Sequence, residues 1–417
     1  MRKGFLDNGI PVVMERMTGV RSVSMGIWVK IGARYERLDK NGISHFVEHM
    51  LFKGTKHRTQ KDIAIEIDSI GGDINAFTSR ENTTFYVKLL KDFTGQGIDI
   101  LSDIYLNSLL QEDDIKKEQE IIGEEIKMVE DTPDEYIHDL FYEDIWGKDG
   151  LGMNILGTQD TVNLLERGDL VRHMDNHYGV NDIVISAAGN IDYESILRQF
   201  NEKLGFQKNK SKEQVIVKEE QPAQFNSCVK VHKKDLSEVH LCIGVKGVKQ
   251  DSMLRYPFLL LNTILGAGVS SRLFQEIREN RGLAYTIYSF LSSYHDTGVF
   301  GIFAATGKKK YVEVIETILN EIKSLKDTLT EKELQRAKSQ LKGNILLNME
   351  SSSGRMQNIA RQEIYYGRYY PPQAIIRGID KVKLSDICDV IDGFLHPSKK
   401  VITLLGPASL SALKGIC

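Results

Sequence analysis

The chain repeats itself once, and this limits its architecture more than any other feature. Near the end of the first half, HYGVNDIVISAAGNIDYESI starts at His177; at the end of the second, FLHPSKKVITLLGPASLSAL starts at Phe394. Both read as a turn-rich approach, a β-branched strand, a Gly turn and a helix-like segment. Ile185 falls on Ile402 and Gly189 on Gly406 at a constant offset. Upstream, residues 75–106 parallel residues 288–319 as strand, turn, alternating strand, polar break and helix of 3.6 period. Solenoid repeats recur every roughly 20–50 residues. A repeat of half the chain is a duplicated domain.

Residues 207–224, QKNKSKEQVIVKEEQPAQ, are rich in Lys, Gln and Glu and read as an interdomain linker. The expected domains are therefore 1–206 and 225–417. Strand patterns at 12–17, 23–31, 83–90 and 183–188, and helix patterns at 43–51, 63–70, 94–109, 114–130 and 161–178, set the order within the first. Hairpin-like strand neighbours and consecutive helices predict an α+β fold rather than a doubly wound parallel sheet. Each domain is expected to be a largely antiparallel sheet covered by helices.

Charge narrows the partners. Lys+Arg number 54 against Asp+Glu 57, a net charge of -3, so no basic excess draws in nucleic acid or an anionic membrane. No apolar run approaches the roughly 18 residues of a membrane span. The opening MRKGFLDNGIPVVMERM lacks the continuous apolar stretch of a secretory signal. Cys228, Cys242, Cys388 and Cys417 form no CxxC and no disulfide scaffold, which fits a reducing compartment; the expected location is cytoplasmic.

The strongest local pattern is His45-Phe46-Val47-Glu48-His49. On a helix, residues i and i+4 share a face, so both imidazoles can reach one metal ion. Glu48 projects to the same side, where a carboxylate can hold a metal-bound water without being a ligand. This is HExxH reversed. A catalytic zinc takes three protein ligands and keeps a position open. The segment EDDIKKEQEIIGEEIKMVE, beginning at Glu112, is helical in period and rich in Glu, with Ile115, Ile122, Ile126 and Val129 on its apolar face. Glu118 and Glu125 lie two turns apart on one face, so one can bind metal while the other supports a ligand histidine. Pattern alone leaves Glu118, Glu120, Glu124 and Glu125 open as the third ligand.

HFVEHMLFKGT, followed by Glu125 within IIGEEIKMVED, resembles the pitrilysin-type zinc peptidases, in particular their two-domain branch like the mitochondrial processing peptidase. LDNGIPVV, IDSIGGDINAFTSRENTTFY and LGAGVSSRLFQEIRENRGLAY extend the likeness over essentially the whole chain. The resemblance implies one Zn2+ per chain, held by His45, His49 and Glu125, with Glu48 as general base and Glu118 supporting a ligand. It implies that Asn75, Ala76 and Phe77 lie on an edge strand that pairs with extended peptide, and that Arg278 and Tyr285 of the other half bind substrate. The activity it implies is endopeptidase cleavage of small unstructured peptides in a closed chamber, the alternative being maturation of one dedicated precursor. A homodimer whose sites are completed across two chains follows, since the metal motif and the Arg278/Tyr285 pair sit in different halves. A non-catalytic scaffold like the core subunits of the respiratory bc complex would be expected to have lost ligands or base, and here His45, Glu48, His49 and Glu125 are all present.

Aligning GISHFVEH with GVSSRLFQ places Ser271, Phe274 and Gln275 near the positions of His45, Glu48 and His49, so the second copy carries no such motif. His173 and His177 are also four apart but lack a carboxylate where a base is needed. The Gly-rich LGAGVSS lacks the Lys and spacing of a phosphate-binding loop.

Overall fold

The computed structural model describes residues 1–207, 223–395, 399–413 and 415. Most of the expected linker lies outside the described residues. Strands β1 (Arg2–Phe5), β2 (Pro11–Arg16), β3 (Ser22–Val29), β4 (Asp73–Thr78), β5 (Thr83–Leu90) and β6 (Ile183–Gly189) form one sheet in the order β1-β2-β6-β3-β5-β4. Strands β7 (Cys228–His232), β8 (Glu238–Lys246), β9 (Ala284–Ser293), β10 (Gly298–Gly307) and β11 (Lys400–Leu405) form another, in the order β7-β11-β8-β10-β9. Without β1 the two orders correspond strand for strand. In each sheet one pair is parallel, β2 with β6 and β7 with β11, and the other pairs are antiparallel. Gly189 and Gly406 end the matching strands with φ of 129° and 117°. A Cβ would stand 2.2 Å from the Ser22 carbonyl oxygen at the first and 2.6 Å from that of Glu238 at the second. The duplication, and the mixed α+β class with helix-covered sheets, is thus the architecture.

The helices that matter for the site are α1 (Ile43–Leu51), α2 (Gln60–Ser69), α3 (Thr94–Asn107), α4 (Glu112–Glu130) and α5 (Pro133–Trp146). The helix expected at 161–178 is two, Gln159–Asn163 and Arg167–His177. Thr158 and Glu166 each open a helix with a reciprocal capping box, which satisfies the N–H groups that a break would orphan.

Strand β6 shows how the first sheet is held. Its residues are all buried. Ile183, Ile185 and Ala187 join the core that also contains Phe46, Val47 and Met50 of α1. Val184 and Ala188 point the other way and, with Val13 and Trp28, pack against Met356, Ile359 and Ala360. The alternation is the two-residue period of a strand buried on both faces.

That second covering comes from far along the chain, in the helix Ser352–Tyr366. The compact units accordingly do not follow the sequence halves. One gathers Met1–Met128, the described residues of Asp149–Glu219, and Leu347–Tyr369. The other gathers Val129–Lys148, the described residues of Glu220–Leu346, and those of Tyr370–Cys417. Each unit takes one helix from the opposite half. Helix α5 packs against the second sheet, where Phe141 fills the space over Gly244: a Cβ there would lie 2.3 Å from the Phe141 ring. Its Asp144, with a side chain 1% exposed, meets Lys230 at 2.9 Å and accepts hydrogen bonds from Thr403 at 2.7 Å and His232 at 3.1 Å.

Burial pushes the Asp144 carboxyl up, but the His232, Thr403 and Lys230 hydrogen bonds outweigh it and hold the group below its ordinary 3.8. A depressed folded-state value means that the stabilisation is complete above the unfolded value and is lost as pH falls through the folded one. Asp144→Ala is expected to lower stability by about 2–4 kcal/mol at pH 7. The gap to wild type should close on acidification. Urea melts at pH 7 and below pH 4 are the check, and a variant within about 0.5 kcal/mol of wild type at pH 7 would refute the anchoring role.

Candidate metal centre

Helix α1 is nine residues long, with Phe46, Val47, Met50 and Leu51 fully buried against the first core. That packing turns His45 and His49 to one side, with ring centroids 4.5 Å apart. Helix α4 brings Glu125 to them. Its Oε2 stands 3.7 Å from His45 Nε2 and 3.6 Å from His49 Nε2. Among the described residues, these three form the one group of His, Cys, Asp or Glu side chains with ligand atoms all within 4.8 Å of one another.

The fit to a metal can be tested by geometry. Zinc bonds to His nitrogen and carboxylate oxygen are about 2.0–2.2 Å, so ligands at a tetrahedral angle lie roughly 3.4 Å apart. The two observed separations, 3.7 and 3.6 Å, need only a small closure. Two nitrogens and one oxygen suit zinc, and three protein ligands match the catalytic rather than the structural kind of site. The His45 imidazole is pushed down to about 3 by burial and by neighbouring His49, so it stays neutral, as a ligand must.

His49 is oriented from behind, whereas the buried His45 Nδ1 has no hydrogen-bond partner among the described residues. His49 Nδ1 lies 2.9 Å from Glu118 Oε2, and the other Glu118 oxygen meets Lys53 Nζ at 2.5 Å. With the proton on Nδ1, His49 presents its Nε2 lone pair towards Glu125. Burial raises the Glu118 carboxyl, but hydrogen bonds from His49 and Lys53 outweigh it and keep the group ionised.

Glu48 is held differently. Thr78 at the end of β4 donates its hydroxyl to Glu48 Oε2 at 2.5 Å. Burial pushes Glu48 above the ordinary carboxylate value, Glu125 adds to the rise, and the Thr78 hydroxyl and His49 pull against it. A raised carboxylate beside a ligand pair is suited to accept and return a proton.

Strand β4 is an edge of its sheet, with β5 as its only strand partner among the described residues. Asn75, Ala76 and Phe77 lie in its middle. Ala76 packs towards the α1 core, and Phe77 turns to the opposite face against Trp28 and Tyr86, at centroid distances of 5.7 and 6.3 Å. The Asn75 side chain caps the adjacent Ala76 N–H at 2.8 Å. Arg278 and Tyr285 belong to the second unit. The Arg278 guanidinium lies 4.8 Å from the Phe274 ring centre and 4.6 Å from that of Tyr285, which is 76% exposed at the start of β9. His173 is buried on the helix Arg167–His177, its ring 5.0 Å from that of His177, and no third ligand-type side chain completes a metal group there among the described residues.

Three residues of this arrangement escaped the sequence reading. Lys53 follows His49 by four and His45 by eight, a helical spacing that could have drawn attention to it. Thr78 and Glu36, which binds the start of α1, carry no local signal, since only folding brings them to the motif.

Comparison with known proteins gives the family of the chain. The pattern of the insulinase family, peptidase family M16, matches residues 11–159, and that of the peptidase M16 inactive domain matches residues 165–341. An uncharacterized zinc protease of Bacillus subtilis (strain 168), YmxG, is 38% identical over 382 residues, 91% of this chain and 92% of its own. Among solved structures, a protease from Helicobacter pylori has a TM-score of 0.90 at 20% identity, covering 97% of this chain and 99% of that one. A chain of complex III2 from Candida albicans has a TM-score of 0.85 at 21% identity, covering 100% and 97%. At these identities the two structures speak for the fold alone. With two family patterns in tandem and a relative this similar along nine-tenths of both sequences, the chain belongs to the M16 peptidase family, the insulinase and pitrilysin type.

Proposed function

We propose that this chain is a zinc-dependent endopeptidase acting on small unstructured peptides, with Glu48 as its general base. The observation that carries the reading is the convergence of His45, His49 and Glu125, from two helices, beside a carboxylate that is not needed as a ligand. Relatives named as zinc proteases support it. Zinc, when bound, supplies Lewis-acid activation of water and of the scissile carbonyl. Glu48 takes the proton from the attacking water and returns it to the leaving amine. Glu118 fixes the tautomer of His49. The free edge of β4 offers main-chain hydrogen bonds to an extended peptide, a mode that tolerates many side chains and selects for unfolded chain. Phe77 contributes through its backbone, since its ring is turned inward against Trp28. Arg278 and Tyr285, supplied by an identical partner chain, grip the substrate near the reacting carbonyl.

The test compares three carboxylates of α4. Purified wild-type chain is expected to hold zinc through dialysis and to cut an unstructured peptide library. Glu125→Ala is expected to lose the metal and the cutting. Glu120→Ala and Glu124→Ala should keep both; Glu124 is occupied with Lys127, 2.8 Å away on the exposed face. Equal zinc retention by all three variants, or a wild-type chain without zinc, would overturn the reading.

A further inference from the structure

The helix that carries the metal motif starts in an unusual way. Its N-cap is Gly42, at φ 96°, which has no side chain to serve the orphan N–H groups of the first turn. Glu36 serves them from outside the helix. One of its oxygens accepts the Gly42 N–H at 2.7 Å and the Asn41 side-chain amide at 2.8 Å; the other accepts the Ser44 N–H at 2.8 Å. Glu36 and Asn41 are both buried. The Asn41 amide also donates to the Asn154 carbonyl at 2.8 Å.

The turn is clamped as well as capped. A Cβ on Gly42 would lie 2.6 Å from the Leu156 carbonyl oxygen, and one on Gly157 would lie 2.4 Å from that of Asn41. The anchored Ser44 immediately precedes His45. An isolated helix of this length has no stability of its own, so what grips its ends decides its axis and its rotation. Side-chain tips ride at a radius of roughly 5–6 Å, so a turn of about 20° about the axis moves them by about 2 Å. Metal–ligand distances tolerate about 0.2 Å. The far end of the helix is held through His49 by Glu118 and Lys53; the near end is held by Glu36.

We propose that Glu36 is a positioning residue of the metal centre: its buried carboxylate sets the rotation of α1 so that His45 and His49 meet Glu125. This rests on the zinc reading above. A carboxylate is required because both oxygens accept, and its negative charge suits a helix N-terminus. In Glu36→Gln the amide nitrogen would face one of the same N–H donors and could accept nothing from it.

The experiment uses the full chain. Glu36→Gln and Thr59→Ala are compared with wild type for melting temperature, zinc affinity by chelator competition, and the visible spectrum at saturating cobalt. Thr59 caps α2 by a capping box with Asp62, and α2 carries none of the ligands, so it reports a merely structural loss. Glu36→Gln is expected to bind zinc about 10-fold more weakly and to alter the cobalt band. Thr59→Ala is expected to melt lower with wild-type affinity and spectrum. A folded Glu36→Gln chain with wild-type zinc affinity and spectrum overturns the proposal. Should that variant not fold, Asn41→Ala, which keeps the carboxylate but removes the amide that aims it, is expected to weaken zinc binding about threefold. Unchanged affinity there, or failure of both variants to fold, also overturns it. A wild-type chain that binds no zinc sinks the zinc reading itself, which is distinguishable from wild-type binding with unaffected variants.

Discussion

Glu48→Gln is expected to keep its zinc and its melting temperature and to lose hydrolysis by at least about 10²–10⁴-fold, the range of a general base. The amide has the shape of the carboxylate, and its oxygen can still accept the Thr78 hydroxyl that now lies 2.5 Å away. What it cannot do is take a proton from water. His45, His49 and Glu125 are untouched, so metal content should match wild type. Peptide turnover by metal-loaded variant is the measurement, and turnover near the wild-type rate would remove Glu48 from the reaction. The same variant tests the proposal that an identical partner chain completes the site. Mixed with inactive Arg278→Ala/Tyr285→Phe chains and allowed to exchange, it should regain activity if sites are completed across chains, because one site in each mixed dimer is then wild type. Proven exchange with no recovery would refute completion by a partner.

A fragment of residues 1–206 expressed alone is expected not to fold, and the same holds for 225–417; co-expressed, the two should assemble. The reason is the helix exchange. Without the helix Ser352–Tyr366, the first sheet would bare Val13, Trp28, Val184 and Ala188, each buried to within 1% in the intact chain. Without α5, the second sheet would lose Phe141 over Gly244 and the Asp144 anchor. At about 1.5–3 kcal/mol for each large apolar side chain, the lost burial on the first sheet alone is on the order of 10 kcal/mol. That rivals the whole stability of a typical domain, about 5–15 kcal/mol. Thermal melts and amide exchange of the lone and co-expressed fragments decide it. A lone first fragment that melts cooperatively near the temperature of the intact protein would show that the exchanged helix is dispensable.

The exchange also marks where sequence reading ends. The repeat was legible because β6 and β11 are each mostly apolar, buried along nearly their whole length and closed by a Gly with positive φ, Gly189 and Gly406. Both requirements are written in consecutive residues. The α5 segment carries an ordinary amphipathic pattern, and nothing in it says which sheet it covers. The same limit explains the helix expected at 161–178: its apolar period runs on, while the break depends on caps at Thr158 and Glu166 whose reciprocal bonds appear only on folding.

By itself, the sequence determined the duplicated α+β plan, the placement of His45, Glu48 and His49 on one face of a helix, and a short set of glutamates from which a third ligand must come. These follow from local periods of two and 3.6 residues, which the chain cannot escape. Only the tertiary structure decided the rest. It brought Glu125 to within 3.7 Å of both imidazoles while assigning Glu118 to the back of His49. It set Thr78 on the base and Glu36 under the helix start, and it traded one helix between the two units. Apart from Glu36, which lies six and eight residues before the Gly42 and Ser44 N–H groups that it accepts, these join residues far apart in the chain, and their meeting depends on how buried faces pack, for which no local pattern holds the information.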